Sequence, residues 1–215
     1  MIRIAGISLL FTLIALSVSC HQKTDNDDKQ PKKKIVSDSV SRILPVQPVN
    51  PYSPVDVSPM DMTYFPVDYP KLKMTGQVKN MKPFARVIYS RPHLQGRHIF
   101  HEVLKYGEPW RMGANEATEL ELYKDASIKG ETIKAGRYTL YCIPQPKEWT
   151  IVFNSNNDSW GLQQDVAKDI ARFTVPVKET GNSLEYYTMI FEGNGNSASL
   201  LMAWDNVEIR LPFTF

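Results

Sequence analysis

The 215-residue sequence predicts an all-β protein, an antiparallel β-sandwich of jelly-roll-like type with one short helix. Two observations support this fold class. From about residue 60 onward, short runs of β-branched and aromatic residues are separated by turn residues, as in a sandwich of short strands. The Gly-Asn-Gly-Asn sequence at residues 193–196 lies between two apolar runs and is typical of the turn of a β-hairpin.

The individual strands are predicted from their hydrophobic patterns. Residues 118–123 alternate, with Leu120 and Leu122 on one face and charged residues on the other, which indicates a half-buried strand. Residues 137–143 and 149–153 are apolar on both faces and are expected at the centre of a packed sheet. Further strands are predicted at residues 84–89, 184–192, 197–205 and 207–213, with a tight connection at 127–133 that carries Gly130.

A helical pattern occurs at residues 161–173. Leu162, Val166 and Ile170 are spaced by four residues and would form one apolar face of a helix. We therefore expect the single short helix of the fold in this segment.

The first twenty residues have the pattern of a lipoprotein export signal. Arg3 supplies a positive charge, residues 4–18 form an apolar run that is short for a membrane span, and Ser19 precedes Cys20. A cysteine directly after the cleavage position is where a bacterial lipoprotein is acylated. We therefore predict a signal peptide at residues 1–19 and a lipid anchor at Cys20. The alternative is an ordinary signal peptide cleaved nearby, which would leave Cys20 as a free thiol.

Residues 20–58 are predicted to be a disordered, proline-rich tether, and residues 59–215 the folded domain. Residues 21–42 have almost no apolar content, and prolines then recur at positions 45, 48, 51, 54 and 59, a composition that favours extended chain. The acidic residues within 23–28 resemble the export tag of surface lipoproteins in the Bacteroidetes group, and a solvated linker is the alternative. The expected location is the cell envelope, at the periplasmic or surface face of the outer membrane.

Charge and cysteine content argue against several classes of function. The net charge of +2 arises from dispersed charges of both signs, so no nucleic-acid partner is expected. Gly193 and Gly195 belong to the predicted hairpin and do not open a helix, so neither forms a phosphate-binding loop and no cofactor is predicted. Besides Cys20 the chain has one further cysteine, Cys142, which lies in an apolar run and is expected to be a buried, unreactive thiol.

Polar and aromatic side chains concentrate between residues 91 and 118 and supply the candidate ligand-binding site. Arginine forks bind carboxylates and phosphates in bidentate fashion, and Asn and Glu can hydrogen-bond sugar hydroxyls. The candidates are Arg91, Arg97, Trp110, Arg111, Asn115 and Glu116. A structural interpretation stays open, in which Arg111 pairs with Glu116 and the Asn and Thr side chains satisfy a turn. Core packing is expected for the other tryptophans, at positions 149, 160 and 204.

Histidines are weaker candidates for a metal site. His93, His98 and His101 lie close to Glu102 in the sequence, and these are metal-ligating residue types. On a strand, however, positions 98 and 101 point to opposite faces. We therefore predict no metal site and keep His98 and His101 only as weak candidates.

Acidic residues offer the elements of a glycoside hydrolase. Glu116 together with Glu119, Glu121 or Asp205 could supply the two carboxylates that such an enzyme requires. Glu119 and Glu121 alternate with leucines, so a solvated face of a strand is the better interpretation of these two residues.

Several motifs together resemble one protein family. The block Trp-Arg-Met-Gly-Ala-Asn-Glu-Ala-Thr at residues 110–118 is the most specific of them. The others are at residues 89–92, 96–97, 135–140, 143–144, 149–154, 160–161 and 203–204. Over roughly residue 58 to the C-terminus the chain resembles the DUF2911 family, exported or lipidated bacterial proteins of uncharacterised function. The resemblance implies an exported β-rich domain from Bacteroidetes-like bacteria, with no established substrate.

From these features we expect an envelope-anchored lipoprotein with a non-catalytic ligand- or glycan-binding module. Its predicted partners are the membrane, through the lipid anchor at Cys20, and a glycan or anionic ligand at the arginine-rich stretch. Two alternatives stay open: a hydrolase that acts on polysaccharide through Glu116 and a second acid, and a structural subunit of an envelope assembly.

Overall fold

A computed structural model describes residues 56–215, which form ten β-strands and one α-helix. The predicted signal peptide, Cys20 and most of the predicted tether lie outside the described residues. The strands are β1 (Met60–Phe65), β2 (Ala85–Ser90), β3 (Thr118–Leu122), β4 (Ala126–Ile128), β5 (Glu131–Ile133), β6 (Gly136–Pro144), β7 (Glu148–Asn154), β8 (Asp169–Pro176), β9 (Lys178–Asn194) and β10 (Ser197–Thr214).

The strands form two antiparallel sheets, which confirms the all-β sandwich. The larger sheet has the order β1-β2-β3-β6-β7-β8, and the smaller one has the order β5-β4-β10-β9. Neighbours in the larger sheet follow one another along the chain, except that the β4–β5 hairpin leaves it to join the smaller sheet. The strands of the larger sheet are therefore connected as a meander that is interrupted once, by the β4–β5 hairpin. A jelly roll would instead have an interleaved strand order.

The alternating pattern at residues 118–123 is confirmed as strand β3. Leu120 and Leu122 face the core, whereas Glu119 and Glu121 face outward. Glu121 accepts a hydrogen bond from Arg86 at 2.7 Å, and Glu119 pairs with Arg137 at 2.9 Å. The solvated strand face expected for the two glutamates is therefore present.

The predicted central strands correspond to β6 and β7, which lie next to each other within the larger sheet. Their inner side chains join the core, while Tyr141 and Val152 on the outer face are also buried. The segment 155–168 covers this outer face, since Thr139 Oγ1 donates to the carbonyl oxygen of Asn156 at 2.9 Å. Burial of both faces accounts for the continuous apolar runs in the sequence.

The predicted hairpin is confirmed, whereas the tight connection predicted at residues 127–133 is confirmed only at 129–130, because strands β4 and β5 occupy the rest of that range. Asn194 of β9 pairs with Ser197 of β10, so Gly195 and Asn196 form a two-residue connection. Residues 129–130 connect β4 to β5 with both residues in the left-handed region, as the tight primed turns of hairpins require.

The helix predicted at residues 161–173 is wrong. This segment contains a single 3₁₀ turn, Val166–Lys168, and then strand β8, which pairs with β7. Leu162, Val166 and Ile170 are exposed, so their spacing of four does not mark a buried face. Ala171, Phe173 and Val175 alternate along β8 and enter the core, and this period of two determines the structure.

The α-helix of the fold is α1 (Tyr69–Met74), for which no helix was predicted. Pro70 lies in its first turn, where the missing N–H costs nothing. Tyr69 is buried, and its hydroxyl donates to the carbonyl oxygen of Met81 at 3.1 Å. Within residues 56–215, no helix is long and apolar enough to cross a membrane.

The two sheets enclose a core rich in aromatic residues. Tyr89 of β2 reaches across to β9, where its hydroxyl donates to the Met189 carbonyl oxygen and accepts from the Met189 N–H at 2.9 Å. Cys142 of β6 is fully buried, as predicted, and burial raises the pKa of its thiol well above the ordinary value. The largest buried side chains include Trp149, Trp204, Tyr187 and Phe153.

Candidate ligand-binding cavity

A cavity of about 380 Å³ lies among loops that come from distant parts of the sequence. It is lined by residues of five stretches: 57–58, 92–97, 103–114, 161–162 and residue 204. Three of the sequence-predicted residues, Arg97, Trp110 and Arg111, lie in this lining. The cavity therefore brings together half of the predicted binding set.

The chain after β2 forms one wall because it runs along the edge of β9. Leu94 N–H donates to the Glu185 carbonyl oxygen at 3.0 Å, and Tyr187 N–H donates to that of Pro92 at 2.9 Å. Arg97 follows this pairing, and its side chain folds back onto the same loop. Its Nε donates to the Leu94 carbonyl oxygen at 2.8 Å and its Nη2 to that of His93 at 3.1 Å.

The block at residues 109–118 forms a second wall and is anchored on β6. The backbone of Trp110 exchanges two hydrogen bonds of 2.8 Å with Cys142. Met112 is fully buried with a φ of 60°, a left-handed conformation that a non-glycine residue rarely adopts. Ser90 Oγ accepts hydrogen bonds from two successive N–H groups of the block, and Thr118 Oγ1 donates to the Met112 carbonyl oxygen at 2.8 Å. This turn directs Arg111 toward the cavity while Met112 enters the core.

Among residues 56–215, the acceptors of the Arg111 side chain are all backbone carbonyl oxygens. Its acceptors belong to Gly113, Ala114 and Trp160, the last at 3.3 Å, and its guanidinium lies 6.0 Å from the centre of the Trp160 ring. Partial burial lowers the pKa of this guanidinium from its ordinary value. The alternative pairing with Glu116 is not formed, because Glu116 is exposed and makes no ion pair within the described part of the chain.

Aromatic rings form the inner surface of the cavity. The rings of Trp110 and Trp204 stack with their centres 5.6 Å apart, and Tyr187 packs against Trp110 at 4.9 Å. The indole N–H of Trp110 donates to the Gly113 carbonyl oxygen at 3.2 Å, and that of Trp204 to the Glu185 carbonyl oxygen at 3.1 Å. Both N–H groups are therefore occupied, and the two indoles offer mainly apolar ring surface to the cavity.

Core packing is confirmed for Trp149 and Trp204 but is wrong for Trp160, which is 56% exposed. Trp160 lies on the segment 155–168, outside the two sheets, where its ring borders Arg111. The sequence around Trp160 does not have the pattern of a buried strand. It therefore gives no signal that would separate a residue at the rim of the cavity from a residue of the core.

Three predicted binding residues do not line the cavity. Arg91 connects the loop to β9, since its Nε donates to the Tyr187 carbonyl oxygen at 3.1 Å and its Nη2 to Thr188 Oγ1 at 3.0 Å. Asn115 Nδ2 donates to Asp56 and to the Ser58 carbonyl oxygen, which holds residues 56–58 against the block. Glu116 faces solvent.

Residues 56–58 were predicted as the end of the tether, yet Ser58 is buried and both Val57 and Ser58 line the cavity. The folded part of the chain therefore includes residue 56. The local composition does not indicate that residues 56–58 belong to the folded part, because the contact that holds them depends on Asn115, far along the chain.

The histidines do not converge on one point. His93 lines the cavity, stacks on Tyr186 with ring centres 5.2 Å apart, and lies 3.5 Å from a Glu185 carboxylate oxygen. His98 and His101 are exposed. Within residues 56–215, no group of three or more His, Cys, Asp and Glu side chains is placed to hold a metal ion.

The charged side chains that line the cavity within the described residues are all positive. Arg97 and Arg111 line it, and no aspartate or glutamate of the described residues does so. All hydrogen-bond acceptors of the two guanidinium groups within this part of the chain are neutral carbonyl oxygens. An arginine pair without a carboxylate partner favours the binding of an anion.

Fold and cavity together define a β-sandwich protein with a basic, tryptophan-lined cavity formed by its loops. The chain belongs to the DUF2911 family, whose members are described as proteins of unknown function and whose model matches residues 70–213. This match confirms the resemblance seen in the sequence motifs. Comparisons with curated proteins and with solved structures found no match.

Proposed function

We propose that this protein is an envelope-anchored lipoprotein whose β-sandwich domain binds a small organic anion without chemical conversion. One observation carries the binding role: Arg97 and Arg111 line the same cavity, and no acidic residue among residues 56–215 lines it with them. The family is of unknown function, so the proposal is based on the geometry of the cavity.

The hydrogen bonds of the two arginines leave donors for a ligand. Each guanidinium carries five N–H groups. Arg97 donates two of them to backbone carbonyl oxygens, and Arg111 donates three. Arg111 is partly removed from water, and such a positive charge is costly unless it is paired. A carboxylate or phosphate group at this place would offset that cost with charge-assisted hydrogen bonds.

A hydrolase receives less support from the same geometry. Hydrolysis of a glycosidic bond usually requires two carboxyl groups on either side of the bond. Glu116 is exposed and does not line the cavity. Among residues 56–215, no carboxylate lines the cavity. No contact in the described residues favours the third possibility, a structural subunit of an assembly, over a binding domain.

The envelope location is proposed from the N-terminal sequence. The apolar run at residues 4–18, followed by Ser19 and Cys20, supports export and acylation at the cysteine. Residues 21–55 would then connect the anchor to the folded domain. The proposed membrane is the outer membrane of a Bacteroidetes-like bacterium.

Binding is tested by isothermal titration calorimetry with benzoate, galacturonate and inorganic phosphate as probes. Arg97→Ala and Arg111→Ala are each expected to raise the Kd of the bound probe about tenfold or more, because a charge-assisted hydrogen bond is lost. Arg210→Ala is the control, since Arg210 pairs with Glu192 and Glu208 and does not line the cavity. It should leave the Kd unchanged.

The melting temperature of each variant shows whether it is folded. Arg111→Lys is included because Arg111→Ala also removes the donor to three backbone carbonyl oxygens. Failure of all three probes to bind, or an equal loss of affinity in Arg210→Ala and Arg97→Ala, would contradict the proposed site.

A further inference from the structure

The walls around the two arginines are mainly apolar. Val57, Val103, Leu104 and Leu162 line the same cavity, together with two prolines and the rings of Trp110 and Trp204. Besides the two arginines, the lining side chains able to hydrogen-bond sugar hydroxyls are those of Ser58, His93 and Gln95, and Gln95 is already in contact with His93 at 3.0 Å. The cavity thus combines a localised positive charge with an apolar surface.

The apolar surface continues to the rim of the cavity. Trp160 and Leu162 flank Gly161 and are 56% and 72% exposed. Gly161 itself lies close to Ala117 and Arg111, since a Cβ atom here would lie 2.8 Å from the Cβ of Ala117 and 3.0 Å from that of Arg111. Leu162 lines the cavity, so its exposed surface is available to a ligand that enters there.

A smaller cavity of about 220 Å³ adjoins the first. The two share Val103, Leu104, Pro109 and Trp110 in their linings, and the smaller one ends at Lys105 and Glu108. The four shared residues are apolar, whereas the two that the smaller cavity adds are charged, so the apolar surface at this end of the first cavity is that of the shared residues.

We infer that the ligand is an amphiphilic organic anion, whose charged group binds Arg97 and Arg111 and whose aliphatic body lies along Leu162, Val103 and Leu104. This inference rests on the proposed function and specifies its ligand class. An acidic sugar would leave its hydroxyl groups against apolar side chains, and burial of polar groups without partners is unfavourable. When an aliphatic chain binds instead, apolar surface of both the ligand and the protein is removed from water, which is favourable.

The test is a series of linear carboxylates, propanoate, hexanoate and decanoate, titrated into the protein below their micellar concentrations. The Kd is expected to fall about three- to fourfold for each methylene group that becomes buried. Leu162→Ser should raise the Kd of decanoate about three- to tenfold and leave that of propanoate unchanged. Val166→Ser is the matched control, because Val166 is 60% exposed on the same segment but does not line the cavity.

The outcomes separate this inference from the proposed function. Two results would overturn the proposal of an amphiphilic ligand while leaving the proposed anion site intact. In the first, propanoate binds through Arg97 but chain length has no effect on the Kd. In the second, galacturonate binds more tightly than hexanoate. If none of the linear carboxylates binds, the amphiphilic ligand is overturned, and the proposed function fails as well when benzoate, galacturonate and phosphate also do not bind. An equal effect of Leu162→Ser and Val166→Ser on decanoate would also overturn the assignment of the apolar wall.

Discussion

Gly161 shows how a single residue shapes the rim of the cavity. Its φ is +78°, which L side chains rarely adopt, and a Cβ atom here would lie 2.8 Å from the Cβ of Ala117 and 3.0 Å from that of Arg111. Only glycine lets the segment 155–168 approach the arginine block this closely. The position of Trp160 and Leu162 beside Arg111 depends on that approach.

Gly161→Ala is expected to destabilise the protein more than Gly130→Ala, which has a similar φ of +88° but no atom within 4 Å of the added methyl group. The left-handed conformation costs each variant about 1–2 kcal/mol of unfolding free energy. The steric contact adds ~1–3 kcal/mol at residue 161 only. Urea denaturation measures both values, and equal losses would show that the close approach is unimportant for stability.

At the scale of the elements, Tyr89 links strand β2 of one sheet to strand β9 of the other. Its hydroxyl donates to the Met189 carbonyl oxygen at 3.2 Å and accepts from the Met189 N–H at 2.9 Å. Burial raises the pKa of Tyr89 to about 12. The neutral phenol is therefore the form that the folded state prefers.

We expect this link to fail at alkaline pH. Because the folded-state pKa is above the ordinary value of 10, the contribution of Tyr89 to stability is complete below pH 10 and is lost between pH 10 and about pH 12. Tyr89→Phe should lower the free energy of unfolding at pH 7 by about 1–3 kcal/mol, since the buried Met189 N–H loses its side-chain acceptor. The substitution should also make the decline of the unfolding free energy with rising pH less steep.

Urea denaturation across this pH range tests the expectation. Tyr186→Phe is the control on the same strand, because Tyr186 is largely exposed. Other tyrosines with raised pKa values, including Tyr123 and Tyr141, contribute to the decline in all variants. The comparison with wild type therefore isolates Tyr89, and parallel curves for wild type and Tyr89→Phe would contradict the link.

Most strands could be predicted because their burial alternates with a period of two. Residues 118–123 and the turn at 193–196 are local signals that need no distant partner. The helix at residues 161–173 failed because three exposed residues happened to be four positions apart, while the buried residues of β8 alternate. Strand β1 was missed, since Met60 and Met62 on its exposed face give no contrast between its two sides.

At the scale of the whole molecule, the proposed lipid anchor and tether would place the cavity relative to a membrane. One wall of the cavity includes Val57 and Ser58, which were predicted as the last residues of the tether. The anchor predicted at Cys20 would therefore keep the binding site near the envelope surface, within the length of residues 21–55.

In the producing cell, the wild-type protein is expected in the membrane fraction, from which detergent releases it. Cys20→Ser should move most of it to the soluble fraction, because the acyl chains supply the membrane affinity. Cell fractionation followed by immunoblotting measures the distribution. A soluble wild-type protein would support the ordinary signal peptide and contradict the lipid anchor.

The sequence by itself determined the fold class, the family and the stretch of chain from which most of the charged and aromatic residues of the cavity come. These properties follow from local patterns, since alternation, turn residues and motif spacing are visible without knowledge of the neighbours. Tertiary structure alone decided which arginine faces the cavity. Arg91 and Arg97 lie six positions apart, but β9 provides acceptors for Arg91 and none for Arg97. Trp204 and Leu162 join the site only because the chain folds back, and contacts across such distances leave no local pattern in the sequence.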